Sequence, residues 1–77
     1  MILYIVERYS GHNRKLIIVT TDAYIARKAV QTDKKIRYPE SASETYIISE
    51  YWHKTREDFE KWNESGEFPD ANICYAV

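Results

Sequence analysis

Three side chains could serve as soft metal ligands, and they are His12, His53 and Cys74. No two of them have the spacing of a zinc site, in which ligands come in close pairs. Cys74 lies in an apolar run at 73–77, where a small thiol is typical of a buried core position. The sequence therefore predicts no metal site, and nothing in it indicates a cofactor.

His53 and Glu57 are the best candidates for acid–base catalysis, because they stand four residues apart and histidine can act as a general base. His53 directly follows a predicted strand, however, and a solvated or capping role is commoner at such a junction. No Gly-x-Ser-x-Gly nucleophile motif is present. Two glycines in the whole chain cannot form a phosphate-binding loop. We therefore expect a protein that is not an enzyme.

Basic and tyrosine side chains are interleaved in the N-terminal half. Tyr24, Arg27 and Lys28 lie on one exposed side of a predicted helix, and further basic residues follow at 34–37. Tyrosine can stack on bases while Arg and Lys contact phosphates, so this half could bind a nucleotide or RNA. The isoelectric point of about 6.1 is low for a dedicated nucleic-acid-binding domain.

Protein binding is the alternative that the aromatic content favours. Seven Tyr and two Trp in 77 residues exceed the needs of a small core, and both types are frequent in protein–protein hot spots. The second half also offers an acidic helix face, which could contact a basic partner or simply be solvated. The candidate contact residues are Tyr24, Arg27 and Lys28 on the basic face, and Glu57, Glu60 and Glu64 on the acidic face.

The net charge of −1 conceals an asymmetry between the two halves of the chain. Residues 1–38 carry eight basic and three acidic residues, whereas residues 39–77 carry three basic and nine acidic ones. The halves therefore have net charges of +5 and −6, and a split of this kind hints at an interaction surface. The sequence leaves open whether the fold separates these charges or interleaves them.

The composition fits one small folded domain spanning residues 1–77. Hydrophobic residues make up 44% of the chain and charged residues 30%, which is too apolar and too balanced for a disordered segment. A single Cys excludes an internal disulfide, and no apolar run is long enough for a membrane span. The apolar start at 1–6 lacks the basic leader of a secretory signal. We expect a cytoplasmic protein.

Hydrophobic periodicity predicts an α+β fold, a compact antiparallel sheet with two helices in the order β-β-α-β-β-α-β. The five predicted strands are residues 2–9, 16–20, 34–38, 45–52 and 71–77. The first helix covers 22–31, with Ile25, Ala26 and Val30 in its core-facing arc and a Thr as cap. The second covers 55–64 and begins with a capping box at Thr55.

The first predicted strand has apolar residues on both sides, so we expect it at the centre of the sheet. Such a strand needs cover on both sheet faces, and one short helix cannot supply it. Either the second helix or a second subunit must cover the other face. Because a chain this short buries only about 60% of its unfolded surface, we expect a homodimer or a larger assembly.

Residues 2–9, 16–21 and 22–26 (Ile-Leu-Tyr-Ile-Val-Glu-Arg-Tyr, Leu-Ile-Ile-Val-Thr-Thr and Asp-Ala-Tyr-Ile-Ala) form a predicted hairpin that runs into a capped helix. This arrangement resembles small phage-encoded accessory proteins. The resemblance covers residues 2–30, and the second half shows no family pattern. It implies a non-enzymatic inhibitor, encoded by a phage or mobile element, that binds a host protein such as a defence-system component and occludes a functional site. The alternative remains a nucleotide- or RNA-binding protein that uses the basic half.

Overall fold

The computed structural model describes residues 1–77 and has an α+β fold. Its elements are β1 (Ile2–Ser10), β2 (Asn13–Thr20), α1 (Ala23–Arg37), β3 (Thr45–Trp52), α2 (Arg56–Ser65) and β4 (Ile73–Ala76), with a short 3-10 helix at Glu40–Ser43. The strands form one antiparallel sheet in the order β2-β1-β3-β4. The predicted α+β class, the two helices and the central position of β1 are therefore confirmed.

The predicted edge strand at 34–38 is wrong, and the sheet has four strands rather than five. Residues 34–37 continue α1 for one more turn, because nothing between Gln31 and Tyr38 breaks a helix. The helix ends where Pro39 forces the preceding residue out of the helical region, and Tyr38 accordingly has an extended ψ of 136°. Charged contacts from Asp33 to Arg8 of the sheet and from Arg37 to Glu44, just before β3, also hold this turn in place.

Side-chain caps define the start of both helices. Asp22, rather than a Thr, caps α1, and its carboxylate accepts hydrogen bonds from the backbone N–H groups of Tyr24 and Ile25 at 2.8 and 3.2 Å. The predicted capping box at the start of α2 is confirmed: Thr55 Oγ1 accepts from the Asp58 N–H, and the Asp58 carboxylate accepts from the Thr55 N–H.

The two faces of the sheet carry two separate core clusters. Successive side chains of β1 alternate between the faces, so Val6 points towards α1 while Leu3 and Ile5 point towards α2. The α1-side cluster consists of Val6, Ala26, Val30, Tyr46 and Ile48. The α2-side cluster consists of Leu3, Ile5 and Tyr51, with Phe59 and Trp62 packed against it. Helix α2 therefore covers the second face within a single chain, where a second subunit was the other possibility.

Helix α2 buries its face of the sheet less completely than α1 buries the opposite face. No residue of α2 is fully buried, and its attachment depends on aromatic contacts, since the ring centroids of Tyr51 and Trp62 lie 4.9 Å apart. Phe68, in the segment after the helix, packs its ring against Phe59 and Trp62. Neither helix is long and apolar enough to cross a lipid bilayer.

Candidate functional site

A shallow apolar groove runs along α1 where the helix faces edge strand β2. Ile25, Ala29 and Ile36 recur at helical spacing, so their side chains share one side of the helix. The groove has a volume of about 370 Å³. We call it the α1–β2 groove, and its principal lining residues are Ile17, Tyr24, Ile25, Lys28, Ala29 and Ile36. Most of this lining is apolar, which distinguishes it from an ordinary solvated helix face.

A β-bulge places Ile17 in the α1–β2 groove. Val6 pairs with Ile18 while the next residue, Glu7, pairs with Leu16, so Ile17 is the extra residue of β2. A bulge of this kind redirects a side chain that would otherwise alternate to the opposite face. Ile17 and Ile18 both pack against the α1-side cluster as a result.

Large apolar side chains are unusually exposed around the groove. Ile36 retains 77% of its accessible surface, Tyr24 retains 71% and Ile25 retains 43%. Ile25 was expected in the core-facing arc of the helix and Ile36 in a strand, so both expectations are corrected. Contiguous exposed apolar side chains are typical of interaction sites, and an unpaired sheet edge lies alongside them because β2 pairs only with β1.

The two charged candidate sets lie on opposite sides of the molecule. Helix α1 carries five basic residues and one acidic residue, whereas α2 carries four acidic residues and two basic ones. Since the helices cover opposite faces of the sheet, the charge asymmetry along the chain is partly a spatial one. The separation is incomplete, because Glu44 of the acidic half forms ion pairs with Arg8 and Arg37 of the basic half.

The structure also divides the basic candidate set itself. Tyr24 and Lys28 line the α1–β2 groove, but Arg27 lies on another side of the helix, where its guanidinium carbon is 6.0 Å from the centroid of the Tyr75 ring. Glu57, Glu60 and Glu64 are exposed on α2 and therefore cannot share a continuous surface with them. Of the six candidate residues, only Tyr24 and Lys28 line the same groove.

A second, more polar cleft lies at the C-terminal end of α1. It has a volume of about 670 Å³ and is lined by Gln31, Lys34, Lys35, Tyr38 and Ser41, among others. Tyr38 retains 74% of its accessible surface, so its ring is free to stack on a ligand. We call it the basic cleft. Lys34 is partly engaged elsewhere, because its ammonium donates to the Val77 carbonyl at 3.2 Å.

A network of charged side chains anchors α1 to the sheet beneath both surfaces. Asp33 accepts hydrogen bonds from the Tyr46 hydroxyl and from Arg8. Burial opposes ionisation of Asp33, but these two hydrogen bonds outweigh it and hold the pKa of the carboxyl below its usual value. Burial, reinforced by the hydrogen bond to Asp33, raises the pKa of Tyr46 to about 12. The network is therefore ionised at Asp33 and protonated at Tyr46 at neutral pH.

Arg37 and Glu44 make the second anchor of the helix. Arg37 donates to the two carboxylate oxygens of Glu44 at 3.0 and 2.6 Å, which is bidentate pairing. These bonds hold the pKa of Glu44 below its usual value. The last turn of α1, which carries Ile36 and Lys35, is consequently fixed against the start of β3.

The residues considered for metal binding or acid–base chemistry are scattered. The fold contains no group of three or more His, Cys, Asp or Glu residues arranged to hold a metal ion. Cys74 is exposed, so the expectation of a buried thiol is wrong. His53 occupies the turn before α2 with a left-handed φ of 59° and makes no hydrogen bond with Glu57.

That Ile17 and Ile36 line a groove was not predicted from the sequence. The signal for Ile36 was available, since helical spacing from Ile25 and Ala29 reaches it once the helix extends to Pro39. Ile17 had no such signal, because a bulge depends on pairing with β1. No protein-family model, no curated protein and no solved structure matches this chain.

Proposed function

We propose that this chain is a non-enzymatic binding protein that docks on a partner protein through the α1–β2 groove and inhibits the partner by occlusion. The observation that carries the proposal is the exposure of Ile25 and Ile36 beside an unpaired strand edge. Exposed apolar surface of this kind is costly in water and is recovered when a partner covers it.

The charge of the surface specifies the chemistry of the partner. Lys28 lines the groove, Lys35 follows on the same helix, and Lys15 lies on the exposed edge strand. A partner segment that combines apolar side chains with acidic ones complements this surface. Edge strand β2 can also offer its free backbone groups to an extended segment of the partner, which is the usual mode of strand addition.

The resemblance of residues 2–30 to small phage-encoded accessory proteins supports a host protein as the partner. In that setting the chain acts in the host cytoplasm as an inhibitor of a defence-system component. A small rigid domain can inhibit in this way without chemistry of its own, because it needs only to cover a site that the partner uses.

Affinity capture from bacterial lysate with matched variants tests this proposal. Ile25→Ser/Ile36→Ser replaces two exposed apolar side chains of the groove, and Glu60→Gln/Glu64→Gln is the matched control on α2. We expect wild type and control to capture the same partner protein and the groove variant to bind it at least about tenfold more weakly, which corresponds to about 1.4 kcal/mol. If the control loses the partner and the groove variant keeps it, the binding surface is α2 and this proposal is wrong.

Nucleotide or RNA binding is a second candidate, which the basic cleft favours. Lys34 and Lys35 could contact phosphates while Tyr38 stacks on a base. A ligand that binds there raises the thermal unfolding temperature by mass action, and added salt weakens the effect. A thermal-shift screen with nucleotides and short RNA, repeated on Lys34→Gln/Lys35→Gln, distinguishes this function from protein binding. If the chain binds only proteins, none of these ligands should change the unfolding temperature.

The expected homodimer remains a prediction. The sheet does not require a second subunit for cover, because α2 packs on the face opposite α1. A second copy could instead pair at the β2 edge and occupy the α1–β2 groove. Light scattering at micromolar concentration decides between a mass near 9.2 kDa, which excludes the dimer, and twice that value.

A further inference from the structure

A partly enclosed cavity lies on the α2 side of the sheet, opposite the α1–β2 groove. It has a volume of about 280 Å³. Ile5 and Ser49 contribute to its floor from the two central strands, and Phe68, from the segment after α2, contributes to its wall. Because it is on the other face of the sheet, whatever occupies it is independent of the partner proposed above.

The observation that points to a ligand is the state of Tyr51. This residue is only 8% exposed, its ring packs on Trp62, and it lines the cavity. Its hydroxyl makes no hydrogen bond within the chain, and because no buried polar side-chain atom lacks a partner, this oxygen must be accessible to a molecule in the cavity. Burial, reinforced by the nearby charge of Glu7, raises the pKa of Tyr51, so the hydroxyl stays protonated at neutral pH and can donate a hydrogen bond.

An ion pair completes the polar side of the cavity. Arg14 Nε lies 3.3 Å from Glu7 Oε2, and the Glu7 side chain is 18% exposed against 63% for Arg14. The carboxylate is therefore the inner group and the guanidinium the outer one. Ser49 is also buried, and its hydroxyl has only a weak 3.8 Å contact with the sulfur of Cys74.

These groups define the chemistry of the ligand. The charges of Glu7 and Arg14 compensate each other, so the cavity favours a neutral molecule. Glu7 accepts from N–H groups, while Arg14 and Tyr51 donate to ring nitrogens or carbonyl oxygens. Ile5 and Phe68 offer apolar walls for a flat ring. A side-by-side arrangement of acceptor and donors against apolar walls matches the edge of a nucleobase, on which amino groups lie next to carbonyl or ring nitrogen acceptors.

We propose that this cavity binds a small neutral heterocycle of the nucleobase or nucleoside class. Its volume is slightly below the range of about 300–1,000 Å³ that is typical of pockets for drug-sized ligands, so it suits one base rather than an oligonucleotide. Phe68 retains 44% of its accessible surface, which leaves its ring available to pack on the base. The site differs from the basic cleft, which lies across the sheet and would act through phosphate contacts.

An NMR titration of the full chain with adenosine, cytidine, guanosine and uridine tests the proposal. We expect at least one nucleoside to cause saturable shifts in the backbone amides of Ser49, Tyr51, Gly66 and Phe68. Tyr51→Phe keeps the ring but removes the hydroxyl, and Glu7→Gln removes the carboxylate charge. Each should weaken binding about five- to tenfold, while the matched variant Tyr38→Phe, in the basic cleft, should not change it.

Three results would each overturn the proposal. The first is the absence of saturable shifts with all four nucleosides. The second is a set of shifts confined to the basic cleft around Tyr38. The third is binding at the cavity that Tyr51→Phe and Glu7→Gln leave unaffected. Thermal unfolding of each variant confirms that it is folded, and because Tyr51→Phe preserves the packed ring, the test remains decisive even if Glu7→Gln perturbs the hairpin.

Discussion

The Asp33 carboxylate accepts a hydrogen bond from the Tyr46 hydroxyl at 2.5 Å and thereby joins the C-terminal part of α1 to the start of β3. Arg8 of β1 donates to the same carboxylate oxygen at 2.8 Å. Three elements that are distant in the chain thus meet at one oxygen atom. The contact holds α1 at the position from which it exposes the α1–β2 groove.

Removal of the Tyr46 hydroxyl should destabilise the fold. Tyr46→Phe keeps the buried ring but takes away the donor to Asp33, so the free energy of unfolding should fall by about 1–3 kcal/mol. Urea denaturation measures this difference. Tyr24→Phe is the matched control, because the Tyr24 side chain is exposed and makes no hydrogen bond; its effect should stay within about 0.5 kcal/mol. Equal stability of the two variants would contradict the role given to the Tyr46 hydroxyl.

Acid should destabilise the protein through Asp33 and Glu44. Burial alone would raise the pKa of Asp33, but the hydrogen bonds from Tyr46 and Arg8 outweigh it, so the pKa is lowered. The hydrogen bonds from Arg37 lower the pKa of Glu44 in the same way. A carboxyl whose pKa is lower in the folded state stabilises the fold above its unfolded pKa, which is about 4 for these residues. That contribution is lost as the pH falls from about 4 through the folded values.

Urea midpoints measured across this acidic range check the pH dependence. Asp33→Asn should lower stability at neutral pH and flatten its decline in acid, because the titrating group is gone. Glu60→Gln, on the exposed side of α2, should leave the profile unchanged. An unaltered acid profile for Asp33→Asn would show that other carboxyls govern the transition.

Attachment of α2 should depend strongly on Trp62. Trp62 is the residue of α2 whose ring packs directly on buried Tyr51, so Trp62→Ala should lower the free energy of unfolding by about 2 kcal/mol or more. This is somewhat less than for a fully buried aromatic residue, about 3–5 kcal/mol, since Trp62 is partly exposed. Thermal and urea unfolding measure the loss. Glu57→Ala on the same helix should change stability little, and a comparable loss there would argue against the aromatic contact as the cause.

The stability cost of replacing Gly66 should depend only on how well the new residue adopts a left-handed backbone conformation. Gly66 ends α2 with a left-handed φ of 76°, and an added Cβ would meet no atom within 4 Å. Gly66→Ala should therefore cost about 1 kcal/mol from the unfavourable φ, and Gly66→Asn should cost less because Asn tolerates that region. If both variants unfold at the same urea concentration, conformational preference is not what Gly66 supplies at this position.

Local signals predicted the elements whose ends are marked in the sequence. The bounds of β3 at 45–52 agree with the prediction, and α2 begins where the Thr55 capping box places it. The C-terminal turn of α1 resembles a protected edge strand in the sequence, because its basic residues and the following Pro39 are typical of sheet edges. Its contacts to Arg8, Tyr46 and Glu44 come from remote segments that local periodicity does not describe.

The sequence by itself determined the α+β class, the central β1 strand, the two capped helices and the unequal charge of the two halves, because each follows from local periodicity, capping chemistry or composition. Only the tertiary structure decided which candidate residues share a surface. Tyr24 and Arg27 are three positions apart, yet packing of α1 directs Tyr24 to the β2 edge and Arg27 to Tyr75. The cavity at Tyr51 likewise exists only because the turn after α2 brings Phe68 towards the ion pair between Glu7 and Arg14. Such juxtapositions depend on long-range packing, which residue spacing along the chain does not encode.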